Sequence, residues 1–182
     1  KGGIMNIKEI YLAGSTFWGG EEFLAKLPGV VSTELGLTDI EAGTVVETFL
    51  LAYPDSEYLG TTECIRVEYD ADIIPLPLLL KAFFLTVDPF STEKQINYTQ
   101  GMPEAKIFFT DPEDSGVITK AIADFAQNFD RAVTIACEPL EGFTPAGTYA
   151  EDYIKRNLGE NLIIDPNLAD VFAAEHADEF GA

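Results

Sequence analysis

The stretch from residue 7 to residue 30, IKEIYLAGSTFWGGEEFLAKLPGV, changes its hydrophobic rhythm part-way along. Ile7 to Ala13 has the length and apolar content of a buried strand, whereas Phe17, Trp18, Phe23 and Leu27 recur at intervals that suit one side of a helix. Gly14-Ser15-Thr16 is the turn between them, and Pro28-Gly29 closes the helix. Val30 to Leu37 follows as a strand. Between Glu63 and Tyr69, Ile65, Val67 and Tyr69 alternate with Cys64, Arg66 and Glu68, which predicts a strand with one buried face. Pro75 and Pro77 stand at the head of an apolar helix carrying Leu78, Leu79, Leu80, Ala82, Phe83 and Phe84, because proline is tolerated in a first helical turn. Asp88-Pro89 ends it.

The remaining segments are less regular. Thr44 to Tyr53 reads as extended or mixed, Pro54-Asp55-Ser56 as a turn, and residues 90–103 as a polar loop of a length often given over to function. Ala105 to Thr110 is a predicted strand, Asp111-Pro112 opens a helix to about Phe129, and Ala132 to Glu138 is a further strand. Thr148 to Leu158 predicts a short helix, and Asp165-Pro166 caps a terminal helix ending near Phe180. The order β-α-β, then β-α-β-α-β, predicts one α+β domain over residues 5–182. Its architecture would be a split β-α-β (ferredoxin-like) two-layer sandwich, a mixed sheet with packed helices. Lys1 to Ile4 precede Met5 and are expected to be an expression remnant.

Composition narrows the function. A chain of 182 residues with 47% hydrophobic and 12% aromatic content can bury a sizeable core. Thirty-one acidic against eleven basic residues leave a net charge of −20, which repels nucleic acid and anionic lipid and favours cationic or neutral partners. No apolar run reaches the length of a membrane span, and the start does not read as a signal peptide. Two cysteines, Cys64 and Cys137, are too few for a disulfide framework and suit a reducing cytoplasm. A single histidine and no Cys-x-x-Cys argue against a zinc site.

The strand-to-helix turn carries the candidate chemistry. A helix start leaves amides without intrahelical partners, and these favour an anion or a polarised oxygen. Phe17 and Trp18 would set an apolar wall beside them, so the site suits a small ligand with one polar atom and one apolar group. The same residues also fit plainer roles, Ser15 and Thr16 as helix caps and Phe17 and Trp18 as core.

The stretch AGSTFWGGEEFLAKLPGVVSTELG resembles the signature of the peptide methionine sulfoxide reductase A family. There the turn reads Gly-Cys-Phe-Trp-Gly, followed by an acidic pair, an aromatic residue and Leu-Pro-Gly-Val. Phe17, Trp18, Gly19, Glu21, Glu22, Phe23 and Leu27 to Val30 match, and Thr16 takes the place of the cysteine. The resemblance runs over residues 7–166. Gly60 to Ile65 stands where the family has Gly-His-x-Glu-Val-Val, keeping the glutamate as Glu63 but not the histidine. Leu79 to Asp88-Pro89 corresponds to the helix before His-Asp-Pro-Thr, with Val87 for the histidine. Gln95-Ile96-Asn97-Tyr98 stands at the Gln-Gly-Asn-Asp loop, Tyr98 replacing the aspartate. Phe143 and Ala150-Glu151-Asp152-Tyr153 match the last motif, with Ile154 replacing its histidine.

The resemblance implies a shared fold, no prosthetic cofactor, and thioredoxin or dithiothreitol as reductant if the chain is active. In the implied chemistry a thiolate attacks the sulfoxide sulfur and carries off its oxygen as sulfenic acid, which a second thiol reduces. Threonine has no such path, since its hydroxyl stays protonated near neutral pH and would have to become a peroxide. Glu63 would protonate the sulfoxide oxygen, and Phe17 and Trp18 would hold the methyl group. Tyr98 and Tyr53 are candidate substrate contacts, with Tyr58 an equal alternative to Tyr53 as the tyrosine upstream of the glutamate. Cys64 should point away from Glu63 by strand alternation, and Cys137 should be a small core residue. His176 is expected to be exposed in the terminal helix, which leaves Ser15 or Thr16 without a triad base. The expected function is a catalytically impaired homologue whose aromatic and glutamate pocket takes methionine sulfoxide or a similar small or peptide-borne group, in the cytoplasm, without nucleic acid, membrane or metal. The alternative is a functional, thiol-dependent peptide methionine sulfoxide reductase.

Overall fold

The computed structural model describes residues 4–15, 17–38, 62–92, 104–147, 164–165 and 167–182. The chain forms β1 (Ile7–Ala13), α1 (Phe17–Ala25), β2 (Val30–Thr38), β3 (Thr62–Asp70) and α2 (Leu76–Phe83), with a 3-10 turn at Phe84–Thr86. It continues through β4 (Lys106–Phe109), α3 (Asp114–Ala126), β5 (Ala136–Pro139), β6 (Phe143–Pro145) and α4 (Leu168–Glu175), then a last 3-10 turn at Ala177–Glu179. The strands make one mixed sheet in the order β5-β4-β1-β3-β2-β6, antiparallel at every junction except β4 with β5. The class is α+β, as expected from the order of elements.

Alternation along the strands builds two faces. Ile10 and Leu12, Leu35 and Leu37, Ile65 and Val67, and Ile107 meet Phe23 and Leu24 of α1, Leu79 and Phe83 of α2, Ile118 of α3 and Phe172 of α4 in the main core. The other face carries a smaller cluster of Tyr11, Ala13, Cys64 and Phe108, packed by Leu140 and Phe143. β5 and β6 are consecutive in the chain but lie at opposite ends of the sheet order, joined only by residues 140–142. Four residue steps reach ~14 Å, whereas five strand spacings of a flat sheet come to ~24 Å. The sheet therefore curls toward this short crossing, which lies over the smaller cluster.

Charge is arranged on both faces, Arg66 on the smaller-cluster side and Lys8 on the helix-packed side. Arg66 on β3 bonds Glu9 of β1 at 3.2 Å, Glu34 of β2 at 3.2 Å and Glu68 at 2.7 Å. At the start of α3, Asp114 is buried and pairs with Lys8 of β1 at 3.7 Å.

Several boundaries differ from the sequence expectation. α1 stops at Ala25 because the amides of Lys26 and Leu27 bond the carbonyls of Phe23 and Leu24 in a tighter turn, and Gly29 then reverses the chain at φ 90°. Leu27 stays in the core without being helical. α3 begins at Asp114 rather than Asp111, since the Asp111 side chain accepts the Glu113 amide at 3.0 Å and makes a cap of that turn. β5 begins at Ala136 rather than Ala132: the Thr134 amide bonds Pro89 O at 2.8 Å and its hydroxyl bonds Ser91 O at 2.7 Å, which ties this stretch to another loop. The terminal helix spans only Leu168–Glu175, and β6 was not expected at all. Thr44 to Ser56, the helix at Thr148 to Leu158 and most of the 90–103 loop lie outside the described residues.

Candidate functional site

The candidate site sits where β1 gives way to α1. Gly14 takes a φ of 105°, and a side chain on it would come within 2.5 Å of the Ala105 Cα, so both conformation and the nearby chain require glycine. Ser15 follows, 7% exposed. α1 opens at Phe17, which puts Phe17 and Trp18 in the first turn, where amides lack intrahelical partners.

β3 brings the acid to the same end of the sheet. Ala13 pairs with Cys64 in antiparallel register, so one step further sets the Gly14 turn beside Glu63. Across β2, Glu63 is opposite Leu37. Ile65 and Val67 belong to the main core, which places Glu63 on the helix-packed face with them. The residue keeps some exposed surface, but protein surrounds its carboxyl, and the lost hydration pushes its pKa up to about 8. Glu63 is therefore mostly protonated at neutral pH and can donate a hydrogen bond. A neutral acid beside a helix start presents donors to an oxygen acceptor and no fixed negative charge.

The other candidates are distributed unevenly. Thr16, Tyr53, Tyr58 and Tyr98 lie outside the described residues. Cys64, 1% exposed, is on the opposite face among Tyr11, Ala13 and Phe108. Cys137 is half-buried on β5, and burial pushes its thiol pKa up against hydrogen bonds from Thr119 and Ser115 that lower it. Its thiolate is correspondingly disfavoured. His176 is half-buried rather than exposed: its ring stacks on Phe172 with centroids 4.2 Å apart, and Nδ1 lies 2.9 Å from Phe172 O. Among the described residues, no group of three His, Cys, Asp or Glu side chains could hold a metal ion.

One feature was missed from sequence. Ser15 reads there as a cap or a nucleophile, yet it packs under α1 against Gly20. The available signal was a glycine inside a helical run, an unfavourable choice that needs a reason.

A model of the peptide methionine sulfoxide reductase family matches residues 8–178. The peptide methionine sulfoxide reductase MsrA of Clostridium perfringens is 34% identical over 151 residues, covering 83% of this chain and 94% of that protein. That of Clostridium botulinum is 33% identical over 153 residues, covering 84% and 95%. This chain belongs to the peptide methionine sulfoxide reductase family. Among solved structures, the reduced form of Mxr1 from Saccharomyces cerevisiae has a TM-score of 0.70 at 22% identity, over 86% of this chain and 88% of that one. Methionine sulfoxide reductase A of Corynebacterium diphtheriae has a TM-score of 0.68 at 20% identity, over 86% and 77%. The family match runs beyond residue 166 to take in α4, which the motifs noted in the sequence did not cover.

Proposed function

We propose that this member of the peptide methionine sulfoxide reductase family binds a methyl sulfoxide, free or peptide-borne, or a similar small group, and does not reduce it. The observation that carries this reading is Glu63, a carboxyl kept protonated near neutral pH beside the start of α1. Phe17 and Trp18 would contact the methyl group, with Tyr53 or Tyr98 completing the wall. Thr16 at the nucleophile position supplies no sulfur to accept the oxygen. The reading extends to one domain over residues 5–182, with β4-β1-β3-β2 as a split β-α-β (ferredoxin-like) unit, and to a cytoplasmic setting that suits two cysteines without a disulfide between them.

Titration with a methionine sulfoxide peptide, followed by Trp18 fluorescence, tests it. The expected result is a saturable change with no turnover under dithiothreitol. An unchanged signal counts against the ligand, and robust thiol-driven reduction overturns the reading. The alternative, a working reductase, is favoured by the names of the relatives. In that case the reductant would be a thioredoxin, as suggested by the structure of Mxr1 in complex with Trx2.

A further inference from the structure

We infer that Ser15 and Gly20 form a positioning pair: Ser15 is the spacer that sets how closely the first turns of α1 approach the sheet, and Gly20 provides the gap into which it fits. Gly20 lies inside α1 and is not among the glycines with positive φ, so its backbone would accept alanine. Space, not conformation, excludes a side chain. A Cβ on Gly20 would overlap the Ser15 Oγ, stand 2.7 Å from the Ser15 Cβ and lie 3.4 Å from the Ile65 Cδ1. All three neighbours are in the layer between helix and sheet. Ser15 is buried there and Ile65 is 2% exposed, so neither can swing into solvent without opening that layer.

The pair borders the candidate site on two sides. Ser15 is part of the turn that delivers the chain to the helix start, and Ile65 is the next residue after Glu63 on the same face of β3. A methyl group at residue 20 would have to lift the first turns of α1 from the sheet. That moves the donors at the helix start and admits water toward the Glu63 carboxyl. Ser15 and Gly20 touch no ligand in this account. They act by fixing the distance between two groups that do, and the effect on a ligand rests on the proposed sulfoxide-binding role.

The test compares wild type with Gly20→Ala, Ser15→Gly/Gly20→Ala and Ser15→Ala/Gly20→Ala. Two quantities are read: affinity for a methionine sulfoxide peptide, and the titration midpoint of the Glu63 carboxyl by carbon NMR on glutamate-labelled protein, assigned with Glu63→Gln. Gly20→Ala is expected to weaken binding about tenfold and lower the midpoint as water enters. Ser15→Gly/Gly20→Ala should return both, with binding within about threefold of wild type, because removing one Cβ makes room for the other. Ser15→Ala/Gly20→Ala should recover less, since the residue 15 Cβ remains. Wild-type behaviour in Gly20→Ala, or a Ser15→Gly double variant no better than Gly20→Ala, overturns the pair. If wild type binds no sulfoxide peptide, the ligand assignment fails and the titration alone decides the pair. If Gly20→Ala does not fold, a folded Ser15→Gly/Gly20→Ala protein with the wild-type midpoint supports the pair, and failure of that protein to fold overturns it.

Discussion

Glu63 and Cys64 are consecutive on β3 and face opposite sides of the sheet, Glu63 with the helix-packed core and Cys64 with Tyr11, Ala13 and Phe108. No rotamer of Cys64 crosses a sheet, so its thiol cannot meet a group held by Glu63. Cys64→Ala should leave peptide binding within about twofold of wild type. Its cost is confined to packing, on the order of 1 kcal/mol in a denaturant melt. A tenfold loss of binding would contradict the two-faced arrangement.

Glu63 makes stability depend on pH. Its folded pKa, about 8, is above the ordinary carboxylate value, so the folded state holds a proton that the unfolded chain has released. The stabilising contribution is complete below the unfolded pKa and is lost as pH rises through about 8. The slope in between is about 1.4 kcal/mol per pH unit at most. Glu63→Gln, which mimics the protonated acid, should melt like wild type at about pH 4 and above it at about pH 9. Parallel curves for the two proteins across that range would contradict a neutral Glu63.

Thr16→Cys alone should recover little reductase activity. Under the proposed reading, Tyr98 also stands where the family aspartate was expected, and sulfur alone does not replace it. Thiol-dependent turnover of Thr16→Cys with a methionine sulfoxide peptide should remain at least about a hundredfold below that of a family relative assayed alongside, since Glu63 is kept but the aspartate's share of general acid–base catalysis, in a range of about 10²–10⁴, is absent. Near-normal turnover would show that the 95–98 loop is not required.

Arg66 holds like charges together. Glu9 and Glu68 lie directly opposite each other on β1 and β3, an arrangement that is repulsive without a cation between them. Arg66 bonds both, and Glu34 as well. These side chains are about one-third exposed, so Arg66→Gln should cost only about 1–2 kcal/mol at low salt. Added sodium chloride should recover most of that loss and also raise the wild-type Tm, because screening relieves a net charge of −20. A loss in Arg66→Gln that persists in 1 M salt would point to packing instead.

Lys8 compensates a buried carboxylate. Asp114 has a side chain 7% exposed, and burial raises its pKa while Lys8 lowers it. Lys8→Met should cost about 2–3 kcal/mol at pH 7, below the range for fully buried pairs because Lys8 itself is 39% exposed. The deficit should shrink as pH falls and Asp114 takes up a proton, and Lys8→Met/Asp114→Asn should be more stable than Lys8→Met. Equal melts of these two variants would show that the pair contributes nothing.

Where local pattern decides, the sequence was sufficient. β1 is readable as an apolar run, β3 from its alternation, and α2 from proline at its head. The opposed faces of Glu63 and Cys64 follow from alternation alone. What could not be read depends on distant partners. Ala132 to Ile135 looks like strand, but Thr134 is bound by Pro89 and Ser91. β6 is three residues ending in proline, and it exists because Gly36 of β2 leaves room for the Phe143 ring. The raised pKa of Glu63 and the fit of Ser15 beneath Gly20 both need the helix docked on the sheet, which no local spacing encodes.

Among the described residues the two outermost strands are β5 and β6, and each finishes in a proline, Pro139 and Pro145. A proline offers no amide hydrogen to a strand arriving from a second molecule. Both rims of the sheet are thus blunted against side-by-side zippering. A second copy adding a strand along either of these described rims would forfeit a ladder hydrogen bond where it met Pro139 or Pro145.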